Sequence, residues 1–125
     1  MKKKRVLIVE DDKTQIKLWE KIVSNVNVKS ELVTTGEQAL DYIKNHDDIG
    51  LVLLDLALPD ISGLDVLESI KKLNSKIPVA ILSATEDSKI ILKAGNLGAT
   101  DFFVKGSNPK DIMRLFEFVD DVINK

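Results

Sequence analysis

The chain contains no cysteine. That removes disulfide frameworks, thiolate zinc sites and cysteine nucleophiles together. Proline and glycine are scarce, at three and six residues, and no stretch rich in them forms a linker. The 125 residues therefore read as one domain, 1–125, with no internal repeat. No apolar run approaches the ~20 residues of a membrane span. The basic start Met1-Lys2-Lys3-Lys4-Arg5 is followed only by Val6-Leu7-Ile8-Val9 before Glu10, too short a run for a signal peptide. A cytoplasmic location and no membrane partner are expected. Charge of one sign is also lacking: 18 basic residues against 20 acidic give a net charge of -2. Bulk attraction to nucleic acid is thus absent, and the Lys2–Arg5 run reads as a solvated terminus. What is present, 44% apolar and 30% charged residues, is the balance of a globular domain that needs no metal to fold.

Three runs are apolar throughout: Val6-Leu7-Ile8-Val9, Leu51-Val52-Leu53-Leu54 and Val79-Ala80-Ile81-Leu82. They suit parallel strands covered on both faces. Glu31-Leu32-Val33-Thr34 and Asp101-Phe102-Phe103-Val104 are weaker candidates and fit sheet edges. Helical stripes lie between: Ile16, Trp19, Ile22, Val23 and Val26; Ala39, Leu40 and Ile43; Val66, Leu67, Ile70 and Leu73; Ile90, Ala94 and Leu97; Ile112, Leu115, Phe116, Val119, Val122 and Ile123. Asp12 with Gln15, and Thr35 with Gln38, have capping-box spacing. Asn108-Pro109 reads as an N-cap with proline in the first helical position. Gly98 is placed to end the fourth helix. Five βα units with right-handed crossovers predict a flavodoxin-like, doubly wound (βα)5 fold. Its parallel strands take the order 2-1-3-4-5, with a switch point between the first and third.

That switch point collects chemistry. The first strand ends in Glu10-Asp11-Asp12, the third in Asp55, the fourth in Ser83 and the fifth in Lys105. Asp12 is assigned as the helix cap. Two carboxylates ~4 Å apart repel by about 4 kcal/mol at an effective dielectric near 20. Such a cluster needs a cation, or one acid must stay protonated. Oxygen ligands without cysteine or a nearby histidine favour a hard ion, and magnesium suits an open carboxylate crevice. A hydroxyl and an ammonium beside it suit the oxygens of a phosphoryl group. A carboxylate can also be the nucleophile.

Four segments together, from Val6 to Asp12, from Leu53 to Gly63, from Ile81 to Ala84 and from Gly98 to Lys105, resemble the receiver domain of bacterial two-component response regulators, of the chemotaxis-regulator type. The resemblance covers the whole chain. It implies that Asp55 accepts a phosphoryl group from the phosphohistidine of a sensor kinase or phosphotransfer protein. By the same match, Asp11 and Asp55 ligate Mg2+ directly, Glu10 does so through water, and the Ala57 backbone carbonyl completes the set. Ser83 and Lys105 hold phosphoryl oxygens, and Phe102 is the switch aromatic. Such a protein is a phosphoacceptor that assists its own phosphorylation and dephosphorylation, not an enzyme. Two departures stand out: Gly106 replaces the proline usual after the lysine, and Ala57 is small where many relatives are polar.

Other readings fit less well. A haloacid-dehalogenase-type phosphatase needs an acid where Ala57 stands. A flavin carrier needs a hydroxyl-rich phosphate loop where three acids stand. A phosphorylation-independent, receiver-like binding module is the main alternative, yet Asp55, Lys105 and the acid pair are all kept. His46, the only histidine, reads as a helix end, and Trp19 as core packing. Leu92 and Ile91 lie off the fourth helix's core stripe, and Met113 and Phe118 flank that of the fifth. With Phe102 they predict an apolar face for a downstream protein or a dimer mate. Direct contact with nucleic acid is not expected. A free-standing adaptor and a receiver expressed apart from a larger protein both fit.

Overall fold

Ten elements alternate without exception in the computed structural model, which describes residues 4–106 and 108–124. They are β1 (Arg5–Val9), α1 (Lys13–Asn25), β2 (Lys29–Val33), α2 (Gly36–Asn45), β3 (Ile49–Asp55), α3 (Gly63–Leu73), β4 (Val79–Ser83), α4 (Ser88–Asn96), β5 (Asp101–Val104) and α5 (Pro109–Asn124). Met1, Lys2 and Lys3 of the basic run lie outside the described residues, as do Ser107 and Lys125. The strands form one parallel sheet in the order β2-β1-β3-β4-β5, as predicted.

The continuous apolar runs have a direct cause. Alternate side chains of each central strand enter different cores. Leu7, Val9, Val52, Leu54, Val79 and Ile81 pack on one face with Ala39 and Ile43 of α2, Val66, Leu67 and Ile70 of α3, and Ala94 of α4. Val6, Ile8, Leu51, Leu53, Ala80 and Leu82 pack on the other with Trp19, Ile22 and Val23 of α1 and Leu115 and Val119 of α5. A strand with two dry faces has no polar position to spare, so acids appear only where it ends.

Differences from the sequence expectations lie at the margins. β2 begins two residues before Glu31 and stops at Val33, leaving Thr34 outside it. Its first three residues are exposed, so an apolar pattern had little to mark there. Leu73 ends α3 and is 44% exposed, beyond the core it was expected to join. On α4 only Ala94 is fully buried, while Ile90 and the C-cap Leu97 are half-buried. Asp12 caps α1 by accepting from the Thr14 and Gln15 N–H groups at 2.9 and 3.3 Å. The return half of that capping box is not made: Gln15 Oε1 is buried and accepts no hydrogen bond among the described residues. At α2 the Thr35 hydroxyl accepts from Gln38 N–H, but Gln38 reaches back one residue further, to Thr34 N–H. Asn108 accepts from Lys110 N–H at 2.9 Å, as its cap assignment requires. Gly98, at φ 102°, ends α4 in the left-handed region that glycine enters without penalty.

The loop from β3 to α3 is set by a close approach. A Cβ on Gly63 would lie 2.4 Å from Leu56 Cα and 2.6 Å from the Asp55 carbonyl oxygen. Both are backbone atoms at the end of β3, so they cannot swing aside. Gly63→Ala should therefore cost roughly 1–3 kcal/mol of stability in urea denaturation, as other overpacking does. Among the described residues, chain neighbours apart, no atom lies within 4 Å of where a Cβ on Gly106 would stand. Gly106→Ala should hold stability or raise it by up to about 1 kcal/mol. Equal stability of Gly63→Ala and wild type would refute the close approach.

Candidate functional site

The carboxyl ends of β1, β3, β4 and β5 meet at one edge of the sheet. Glu10 N–H still donates to the Val33 carbonyl at 3.1 Å, so Glu10 extends the β1 pairing and its side chain is fully buried. Asp11, next along, is exposed. Asp55, the last residue of β3, is buried, and its Oδ1 accepts from Ala57 N–H at 3.1 Å. Ala57 itself is exposed at the start of the loop. Ser83 ends β4, buried, with its Oγ accepting from Thr85 N–H at 3.1 Å. Lys105 N–H donates to the Ser83 carbonyl at 2.7 Å, which registers the lysine against β4.

Lys105 then crosses to the acids. Its Nζ lies 2.9 Å from Glu10 Oε1 and 3.1 Å from Asp55 Oδ2, with the side chain only 14% exposed. One ammonium thus sits between two buried carboxylates. At about 3 Å and an effective dielectric near 20, each contact is worth roughly 5 kcal/mol before desolvation. Burial raises the Glu10 carboxyl above its usual range, and contact with Asp55 raises it further. Hydrogen bonds from Lys105 and Trp19 pull it back only in part. Burial works against the Lys105 charge, yet Glu10 and Asp55 outweigh it and hold the lysine above its ordinary value.

Glu10, Asp11 and Asp55 each offer a carboxylate oxygen, and these oxygens lie within 4.8 Å of one another. Three oxygen donors with no thiolate or imidazole among them fit a hard, hydrated divalent cation. The expected residues are therefore brought together: Glu10, Asp11 and Asp55 as one cluster, Lys105 against Glu10 and Asp55, Ser83 at the end of β4 and Ala57 in the loop after β3. His46 is not among them. It follows α2 at the opposite edge of the sheet, stacked on Tyr42 at 3.8 Å.

Phe102 is half-buried on the side of the core made with α3 and α4. Its backbone is held from both sides, by Asp101 Oδ1 accepting its N–H at 2.7 Å and by Arg114 donating to its carbonyl at 3.0 Å. Leu92 and Met113 are 66% and 55% exposed, as the helical phases predicted. Phe118 departs from its expected place on the free face. It is half-buried and meets Phe103 edge-on at 5.3 Å, because Phe103 fills the space between β5 and α5.

Two side chains with work at this end escaped the sequence reading. Asp60 accepts from the Gly36 and Glu37 N–H groups at 2.8 and 2.9 Å, tying the β3–α3 loop to the start of α2. Those hydrogen bonds hold its carboxyl below the usual range. Nothing local in the sequence signals a partner 24 residues away. Trp19, read as packing alone, also donates its indole N–H to Glu10 Oε1 at 3.1 Å. A buried indole N–H requires an acceptor, and that was the available signal.

Lys105→Met should leave two buried carboxylates without their cation, at a cost of about 3 kcal/mol at neutral pH. Glu10, with its folded-state pKa raised, stabilises below its unfolded pKa and loses that contribution as pH rises through the folded one. Removing Lys105 enlarges that upward shift. The deficit should therefore widen from about pH 4 to pH 7 and nearly close at the acid end, read by urea denaturation across pH. A deficit independent of pH would refute the bridging role.

Comparison with known proteins places this geometry. The family model for the response regulator receiver domain matches residues 6–117. The chain is 34% identical over 116 residues to the chemotaxis protein CheV1 of Helicobacter pylori, covering 88% of this chain and 36% of that protein. It is also 34% identical over 116 residues to the Regulator of RpoS of Escherichia coli, covering 93% and 34%. The chain thus spans about a third of the length of these two relatives. Among solved structures, the response regulator receiver domain from Rhodospirillum rubrum is 31% identical with a TM-score of 0.77, covering 93% of this chain and 90% of that one. A CheY-like receiver domain protein from Methanospirillum hungatei gives 27% and 0.83, covering 96% and 95%.

Proposed function

Because the chain belongs to the response regulator receiver domain family, we propose that it is a phosphorylation-controlled switch with Asp55 as acceptor. The phosphoryl donor is the phosphohistidine of a sensor kinase or phosphotransfer protein. The observation that carries this reading is the Lys105 ammonium held between buried Glu10 and Asp55, with Asp11 beside them. An Asp55 oxygen forms the new bond to phosphorus as the phosphorus–nitrogen bond breaks; the electron pair stays on that nitrogen, and a donor ring protonated on its other nitrogen leaves as neutral imidazole. Lys105 already lies against Asp55 Oδ2 and can follow the charge onto a phosphoryl oxygen. Ser83, one strand away, has its Oγ fixed by Thr85 and its own proton to donate. Ala57 N–H keeps Asp55 Oδ1 oriented.

The three carboxylates fit Mg2+. Glu10, Asp11 and Asp55 would hold it, with the Ala57 carbonyl, and when bound it offsets the charge of the carboxylates and of the transferring group. The chain acts as a phosphoacceptor in the cytoplasm and not as an enzyme on a separate substrate. Among the described residues no helix is long and apolar enough to cross a membrane.

Small acyl phosphates with Mg2+ should add one phosphoryl group to wild-type protein, mapped to Asp55 by peptide mass spectrometry. Asp55→Asn, Asp11→Ala and excess chelator should each reduce labelling at least about tenfold, as loss of an attacking group or a ligand does. Label that persists in Asp55→Asn or maps to His46 would overturn the reading.

The signal leaves through α4, β5 and α5, toward a downstream protein or a dimer mate. Phosphoryl oxygens draw the Ser83 hydroxyl, and Phe102 turns into the space it leaves. Exposed Leu92 and Met113 supply apolar contact on that face. Leu92→Asp should abolish phosphorylation-dependent association in analytical ultracentrifugation or pull-down while Asp55 is labelled normally. Association that needs neither Asp55 nor Leu92 would favour a phosphorylation-independent binding module.

A further inference from the structure

Glu10 is the one fully buried acid of the pocket, and three protein donors address it. Lys105 Nζ and Trp19 Nε1 both meet Oε1, at 2.9 and 3.1 Å. Asp12 N–H approaches Oε2 at 3.3 Å. The Oε1 lone pairs are thus occupied from two sides, and Oε2 keeps most of its accepting capacity. Two of these donors belong to groups with other tasks. Lys105 is shared with Asp55 and turns to the phosphoryl group in the proposed reaction, and the Asp12 contact is long. The indole is the donor that stays.

Trp19 is well suited to that task. It stands on α1 among Ile22, Val23, Leu115 and Val119, so its ring cannot leave the core. Packing does not close on every side of it. A cavity of about 10 Å³ lies against Trp19, Phe103, Gly106, Ile112 and Leu115. The hydrogen bond to Glu10 adds a polar anchor to that packing and points the indole N–H at the carboxylate.

We infer that Trp19 is a positioning residue for the divalent-cation site: its indole N–H fixes the Glu10 carboxylate so that Oε2 is presented toward Asp11 and Asp55. The inference rests on the metal reading above. It gives the single tryptophan a role that ring bulk alone does not supply. Partners that orient a metal-binding carboxylate typically change metal affinity by about 10- to 100-fold when removed.

Mn2+ alone is the probe, with free Mn2+ read by electron paramagnetic resonance. Wild type should bind one equivalent and Asp11→Ala should lose it. Trp19→Phe keeps an aromatic ring without the N–H and should bind about tenfold more weakly, with a thermal melt confirming that it is folded. A second measurement needs no variant at position 19. The one indole N–H cross-peak of wild type should move saturably with Mg2+, and stay still in Asp11→Ala. Trp19→Phe binding Mn2+ as tightly as wild type, or an indole peak unmoved at saturating Mg2+, would overturn the inference and leave the metal reading standing. No binding by wild type would overturn both.

Discussion

One ammonium between two buried carboxylates organises the working end of this molecule. Without Lys105, the buried ends of β1 and β3 would each present an unpaired charge. With it, one positive charge is shared by two negative ones, and neither carboxylate has it to itself. Glu10 remains pushed toward its protonated form, and Asp11 adds a further negative charge from the exposed side. Such a site has a standing preference for an additional cation. It also holds Asp55 Oδ2 against a positive group while Oδ1 accepts from Ala57 N–H.

The sheet makes this arrangement possible. β1, β3 and β4 are dry on both faces, so polar side chains gather beyond their ends. Parallel strands send all those ends the same way, and the reversal of order at β1 and β3 opens the crevice. Gly63 then lets the chain after Asp55 fold tightly back on itself, and Asp60 ties that loop to α2. Stability and chemistry thus draw on the same few residues. The backbone link from Lys105 to Ser83 is an example, since it pairs the strands and places both side chains.

Most of this was legible in the sequence because it is written in strand ends. Apolar runs stop abruptly at Glu10, Asp55, Ser83 and Lys105, and period and order supply the topology. Weakly patterned segments were harder. β2 is an exposed edge whose first residues carry no apolar signal, and Leu73 keeps the helical phase of α3 after the core has ended. Phe118 was misplaced because its partner, Phe103, comes from another element. Asp60 and Trp19 escaped for the same reason. Each acts across the fold on a group that its own neighbours do not reveal.

Everything at this end turns on Lys105 bridging Glu10 and Asp55. A carbon-13 titration of the Glu10 side-chain carboxyl by NMR tests it most directly, in wild type and in Lys105→Met. The account predicts a wild-type midpoint above the usual ~4.3 of glutamate, and a higher one still in the variant. An ordinary midpoint that Lys105→Met leaves unchanged would contradict it.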